Sequence, residues 1–569
     1  MVLSEGRKPL QVSSRNQTEF LKAELQVLFA TMGASASMEQ TVSPEQRELE
    51  SLAASTGALP LLQKSFSKLS DPQTNTISIQ SLQQCFYLSY EDSVCESPQK
   101  LESFPRLMNH LGSSVVDLFF ISEKGGINWL GFLRGYVKCC GRMSTSMSLN
   151  VLLRMFAMAM KKLELSTKLE FESDESDCKI NGSLLPTDVL LLLWMCWAML
   201  WNVRTLKISL SKEKLFLPDI NHLVLSAVVS CADVSSSLDV WDCDILGLDV
   251  QLPVGKFLAW ALTTTPTLSD CLTQFVQGRL QSSVNAEDES GSSESISGDI
   301  SSKASQTLLL THGRAWAISL ASRNTISEEI LKTCFAGDIV GTNENLLYRS
   351  SAHGKGLNRF WSNVEGYHGP LLILISASSE DSHQDSSNAR KWTIGVLTQQ
   401  GFENRDSFYG SSGNLYAISP IFHVYSSSGK EKNFVYSHLH PTGRVYESHP
   451  KPVGIAFGGA TANERVFIDE DFAKITVRHH AMDKTYQPGS LIPNQGFLPV
   501  EASIAEVEVW GLGGRTAKEV QTSYKKREEL FTEQRRKVDL KTFASWDDSP
   551  EKMMMDMMAD PNRVEREDR

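Results

Sequence analysis

No cysteine follows Cys334 in this 569-residue chain, and no two of its ten cysteines stand in C-x-x-C spacing. Cys85, Cys95, Cys139, Cys140, Cys178, Cys196, Cys231, Cys243, Cys271 and Cys334 are scattered, which argues against a zinc ribbon and suits reduced thiols in a cytosolic protein. Positive charge is short as well. The formal net charge of −12 leaves no footprint for non-specific nucleic-acid binding, and it opposes anionic lipid unless a basic patch or a lipid anchor compensates. Long apolar runs are missing. The longest, Val189–Trp201, has 13 residues, whereas a spanning helix needs ~20. Its tryptophans Trp194, Trp197 and Trp201 recur at helical spacing and predict a packed core helix. There is no G-x-S-x-G elbow and no G-x-x-x-x-G-K-[ST] phosphate loop, so neither signature of a serine hydrolase or a nucleotide-binding loop is present.

What is present divides the chain into six stretches. Residues 1–40 read as a flexible leader without the apolar core of a signal peptide. Within it, Met32-Gly33-Ala34-Ser35-Ala36-Ser37 matches the N-myristoylation pattern. The chemistry needs a free α-amine on Gly33, hence a candidate internal start at Met32. One myristoyl chain binds membranes only marginally, so a second contact would be needed.

Residues 41–280 read as a helical region. Ser43-Pro44-Glu45-Gln46 is a helix start. Two segments have the layout of a helix, a short polar loop with a central isoleucine, and a second helix, which is EF-hand-like. In the first, Ile77 takes the eighth loop position, so Ser70 is first, Asn75 sixth and Ser81 twelfth. In the second, Ile127 is central, Gly125 sixth, Phe120 first and Gly131 twelfth. Neither loop carries the bidentate glutamate or the carboxylate set of a calcium site, so degenerate, calcium-free pairing is expected. The acidic run at 165–182 reads as a solvated loop.

Residues 281–305 hold ten serines, five acidic residues and one lysine, too little apolar surface to offset ordering entropy; a disordered linker is expected. Residues 306–514 change texture. About nine short β-rich runs alternate with Gly/Ser/Asn turns, the pattern of an antiparallel β-sandwich with a few helices. Leu371–Ser376 is apolar throughout and predicts a central strand buried on both faces. Residues 515–540 have a helical pattern with a thin apolar stripe of Val520, Tyr524, Phe531 and Val538, as in a helix that docks on a partner or on its own domain. Residues 541–569 read as a flexible tail. The fold class is thus α+β multidomain.

The second half resembles the TLDc family over roughly residues 310–514. The pieces that carry the resemblance occur in order: Leu347 to Phe360 with Ser350-Ser351 and His353-Gly354; Trp392-Thr393-Ile394-Gly395-Val396; Phe408-Tyr409-Gly410; Ile455-Ala456-Phe457-Gly458-Gly459; Val466 to Phe472 with Asp469-Glu470-Asp471; and Ile504 to Leu512. Ala460 departs from the third glycine common in the family, and His479-His480 from a small residue and cysteine. The helical first half is similar to that of the lysosome-associated, mTOR-linked members and of plant TLD-domain nucleolar members. The resemblance implies a non-enzymatic adaptor. Its expected partner is the vacuolar-type proton ATPase or another endomembrane partner, with a link to oxidative-stress resistance or vacuole and lysosome signalling. It implies no cofactor, nucleic acid or small-molecule substrate, and a cytoplasmic place, peripheral on vacuolar or lysosomal membranes.

The candidate partner contacts are His353, Gly458, Gly459, Asp469, Glu470, Asp471, Tyr524, Phe531 and Val538, with Gly33 as candidate lipidation site. His438 and His440, with His423 and His449 nearby, hint at zinc but lack a completing cysteine or carboxylate. Two alternatives stay open: a nuclear or nucleolar scaffold, for which Lys525-Lys526-Arg527 and Arg535-Arg536-Lys537 are the best basic clusters, and an enzyme using the thiols or His353.

Overall fold

Ser43 caps the first helix as its hydroxyl accepts the Gln46 amide at 3.1 Å, with Pro44 in the opening turn. From there the computed structural model describes residues 43–547, except 89, 91–93, 97–100, 122–124, 166, 208–213, 233–237, 286–307, 323–324, 341–343, 380–389 and 440–450, together with 549, 552, 554, 555 and 558; the side chains of 207, 334–340 and 538–547 are not described.

The first half is built from α1 (Pro44–Ser55), α2 (Leu59–Leu69), β1 (Ser70–Asp71), β2 (Thr76–Ser78), α3 (Ile79–Cys85), β3 (Val94–Cys95), α4 (Ser103–Phe119), β4 (Gly126–Ile127), α5 (Trp129–Cys140), α6 (Thr145–Lys162), β5 (Lys168–Phe171), β6 (Ile180–Leu184), α7 (Pro186–Lys207), β7 (Phe216–Leu217), α8 (Asn221–Cys231), β8 (Leu252–Pro253), α9 (Val254–Thr264) and α10 (Cys271–Asn285). It repeats one device four times. A helix leads into a loop, the loop ends on a buried apolar residue in a short strand, and the next helix starts two residues later. The four residues are Ile77, Ile127, Leu184 and Leu252, and the strands pair two by two, Ile77 with Ile127 and Leu184 with Leu252. Two residues before the first three, the chain turns left-handed at Asn75 (φ 50°), Gly125 (φ 77°) and Gly182 (φ 101°). Glycine and asparagine adopt that conformation at least cost. Sequence reading found only the first pair. The other two loops run 163–185 and 232–253 between their helices, too long to show the short-loop spacing.

Helix α7 holds the apolar run. By length and composition it would cross a membrane, but 72% of its apolar window lies inside the protein. Trp194 and Trp197 donate to the carbonyls of Pro218 and Phe216 at 3.2 and 2.7 Å, so it is the central helix of the core, as buried indoles need partners.

The second half comprises α11 (His312–Leu320), α12 (Thr325–Val340), β9 (Leu346–Arg349), α13 (Ser350–His353), α14 (Leu357–Val364), β10 (Leu371–Ser379), β11 (Arg390–Thr398), β12 (Arg405–Tyr409), β13 (Gly413–Ser419), β14 (His423–Ser426), β15 (Val435–His438), β16 (Gly454–Ala460), β17 (Asn463–Asp469), β18 (Lys474–Val477), β19 (Val500–Gly511) and α15 (Gly514–Asp547). The antiparallel strands form one sheet in the order β12-β15-β16-β17-β18-β19-β10-β11-β13-β14, with β9 also on β19. It curls over a core of Ile373, Ile375, Val396, Phe457, Val466, Ile468, Val507 and Val509. The other face of the same strands, through Leu372, Leu374, Leu397, Tyr416, Ile418 and Trp510, joins the core of the helical half. That explains why β10 is apolar on both faces.

Helix α11 lies at the junction. Trp316 meets Trp197 edge-on at 5.5 Å. Just before α11, the Leu309 and Leu310 amides donate to the buried Glu508 carboxylate at 2.8 and 3.2 Å. Opposite, Phe422 N–H donates to the His222 carbonyl at 3.0 Å. Both the leader with Met32 and Gly33 and most of the serine-rich linker lie outside the described residues.

Candidate functional site

The signature around His353 folds into a turn tied to β19. The Arg349 amide donates to His353 Nδ1 at 2.9 Å, leaving the exposed imidazole stacked on Tyr348. The buried Ser350 hydroxyl donates to Glu506 and accepts from Val507 N–H at 3.0 Å. Ser351 N–H also donates to Glu506, at 2.9 Å, and Arg349 bridges Glu506 and Glu508 at 3.2 and 3.6 Å. These donors hold the Glu506 carboxyl below the ordinary range even though burial pushes the other way. With His353 Nδ1 taken by a backbone amide and Ser350 facing Glu506, the serine and histidine form no nucleophile–base pair.

The acidic turn between β17 and β18 packs against this corner. Leu357 N–H donates to the Glu470 carbonyl at 2.7 Å, and Asp469 accepts the amides of Ala473 and Lys474 at 2.8 and 3.1 Å. So the structure brings Gly356 and Leu357, just after His353, against the 469–471 turn. Of these candidate contacts, His353, Glu470 and Asp471 are exposed, while Asp469 is spent on its own turn.

Gly458 and Gly459 lie elsewhere and are buried. Their φ angles of 69° and 80° point successive backbone groups inward. Gly459 N–H donates to Asp483 at 2.9 Å, and a Cβ there would stand 2.2 Å from the Asn463 carbonyl. Asp483 also accepts Thr485 N–H at 2.7 Å and pairs with Arg465 at 3.1 Å. Arg465 in turn donates to the carbonyls of Gln487 and Gly489 at 2.9 and 2.6 Å and lies over Tyr425. The glycine pair thus wraps an internal carboxylate and presents no surface to a partner. Arg465, Asp483 and Glu508 escaped sequence reading because partners far apart in sequence leave no local pattern.

Among the described side chains, helix α15 docks by its first three turns. Gln521 donates to the Asn363 and Glu365 carbonyls at 2.9 and 3.2 Å, and Lys525 to that of Asn363 at 3.1 Å. Tyr524 donates to Glu365 at 3.0 Å, its ring lying on Gly366, where a Cβ would be 2.4 Å away. Beyond, Leu530 and Phe531 are 59% and 53% exposed, with Arg535 over the Phe531 ring. Tyr524 therefore serves the domain itself, and Phe531 faces solvent. The helix runs on through Val538, whose side chain lies outside the described residues, to Asp547, past the 540 read from sequence.

No group of three or more histidine, cysteine or acidic side chains could hold a metal among the described residues. His440 and His449 lie outside them; His423 is held below the usual histidine range by burial. Burial pushes the thiols of Cys85, Cys139, Cys196, Cys231 and Cys243 up, Cys231 to about 11, away from the thiolate that reactive cysteines need.

Residues 323–513 match the family model of the TLDc domain. The chain carries a TLDc domain. No curated protein matches the chain significantly. The TLDc match opens at α12 and ends just before α15. The His353 turn, the glycine pair and the acidic turn all lie inside it; α11, the helical half and the projecting helix lie outside.

Proposed function

We propose that this chain is a non-catalytic adaptor whose TLDc domain presents a projecting helix to a protein partner. The observation that carries the reading is the bare outer stretch of α15, where Leu530 and Phe531 stand in solvent beyond a firmly docked base. A rigid helix with exposed apolar and arginine side chains suits a hot spot at low ordering cost. The TLDc family is often linked to oxidative-stress resistance. The candidate partner is the vacuolar-type proton ATPase, met on vacuolar or lysosomal membranes from the cytoplasmic side. Purification of the tagged chain from native membranes should recover that ATPase's peripheral subunits. Leu530→Ser with Phe531→Ser should lower recovery roughly tenfold or more, with an unchanged melting temperature because neither side chain is packed. Recovery of nucleolar proteins alone would sink the reading.

The paired helix–loop–helix units support a second statement: the first pair is EF-hand-like and works without calcium. Ligand positions in the first loop hold Ser70, Pro72, Thr74, Ser78 and Ser81, and in the second Phe120, Asn128 and Gly131, too few carboxylates for a hard divalent ion. Adding ~1 mM calcium, or chelator, should leave the melting temperature unmoved. A calcium-dependent rise would contradict the assignment.

A further inference from the structure

Among the described residues outside the final helix and tail, the two most exposed large apolar side chains are Phe497 and Leu498, at 84% and 80%; Met482, in the same loop, is 53% exposed. They share one end of the curled sheet. The Phe497 ring lies 4.5 Å from that of His479, which lies 4.0 Å from His480. Beneath the tip the loop is well anchored. Leu491 and Ile492 are buried, Gln495 donates to the Val477 carbonyl at 3.0 Å, and Tyr425 donates to that of Ser490 at 2.7 Å. Arg465 holds Gln487 and Gly489. A firm base that lifts Phe-Leu into water is not explained by the domain's own packing.

The surroundings reverse the sign of the chain. The turn between β14 and β15 is stitched to the same segment, Ser428 N–H donating to the Thr485 carbonyl at 2.8 Å. Together these loops carry three exposed lysines, Lys430, Lys432 and Lys484. Facing them are Glu431, which pairs with Lys484 at 3.8 Å, and the exposed Glu501. The other charges are matched in place: Arg478 by Glu464 at 3.3 Å and Asp483 by Arg465. In a protein of net charge −12, a local excess of lysine around protruding apolar side chains is complementary to anionic lipid. Three apolar side chains are too small a patch for a stable protein interface, which needs on the order of 1,000 Å². They are enough for shallow insertion at the headgroup boundary assisted by charge.

We propose that the tip formed by Met482, Phe497 and Leu498, with its lysine rim, is a membrane-contact site that inserts into the surface of an anionic bilayer. It stands independently of the ATPase reading and supplies the second contact that a single acyl chain on Gly33 would require.

The test uses the full chain made in bacteria, hence without an acyl group, sedimented with phosphatidylcholine vesicles with or without phosphatidylserine. Binding should appear only with phosphatidylserine and weaken with salt. Phe497→Ser with Leu498→Ser should cut it about tenfold or more, and Lys430→Glu with Lys432→Glu should weaken it too. The melting temperatures should not change, since all four side chains are exposed. A dansyl-type probe on Phe497→Cys should blue-shift with anionic vesicles. No binding to anionic vesicles, binding equal with neutral ones, an unmoved Phe497→Ser/Leu498→Ser variant, or loss in that variant of a protein partner alone would each overturn the proposal.

Discussion

Arg465→Ala is expected to destabilise the TLDc domain by roughly 3–5 kcal/mol, because removing one member of a buried ion pair leaves the other charge uncompensated. The stranded group is Asp483, fully buried with Arg465 at 3.1 Å. The same change also leaves the Gln487 and Gly489 carbonyls without their donor. For a domain of this size the melting transition should fall by about 10 °C, measured by calorimetry. Arg465→Lys should recover only part, since an ammonium cannot reproduce the planar fork that reaches Asp483 and two carbonyls at once. Asp483→Asn should fall between, because an amide oxygen can still accept from Gly459 and Thr485 while the charge pair is lost. A loss below about 1 kcal/mol in Arg465→Ala would show that water reaches the site and that the glycine bulge does not depend on it.

The second large effect is a pH dependence centred on His222 at the junction of the two halves. Burial, reinforced by the nearby Arg314, lowers its pKa from 6.5 to about 3. Its ring lies edge-on to Phe422 at 6.1 Å. The native state therefore keeps the imidazole neutral, while the unfolded chain takes up a proton as pH falls below about 6.5. With more protons on the unfolded state, stability rises with pH across the window from about 3 to 6.5 and is lost on acidification through it. Between pH 6 and 5, His222 alone should cost about 1 kcal/mol, approaching ~1.4 kcal/mol per unit lower down. Chemical denaturation at a series of pH values should show the slope in the parent and a flatter one in His222→Gln, which cannot titrate. The variant's lower stability at pH 7 does not enter, because the slope is the readout. Parallel curves would mean that the imidazole charges without opening the junction.

Local patterns carried much of this architecture. Caps such as Ser43, Ser78 and Asn128, all of which accept an amide three residues on, are short-range chemistry and readable directly. So is the apolar period of α7, where only the choice between a core and a membrane needed the observed indole partners. The TLDc signature was legible because strand runs and glycine turns come in a fixed order along the chain. The site was harder. His353 and the 469–471 turn read as separate contacts, and the segment just after His353 packs on that turn, while Gly458 and Gly459 are closed over Asp483. A motif states which residues a turn requires, but it does not say whether the turn faces solvent.

The sequence by itself determined the helical first half, the strand-rich TLDc segment, the docking character of the final helix and the want of calcium-ligand carboxylates in the first two loops, since each follows from residue types within a few positions of one another. Tertiary structure alone decided four other things. It made one curled sheet of the strands, doubled the paired helix–loop–helix unit, set α11 between the halves, and left Phe531, Phe497 and Leu498 in solvent. The reason is physical: burial and long-range pairing are set by which surfaces meet, and residues such as Arg465 and Asp483, or Glu508 and Leu309, acquire their roles only when distant segments come within hydrogen-bond reach.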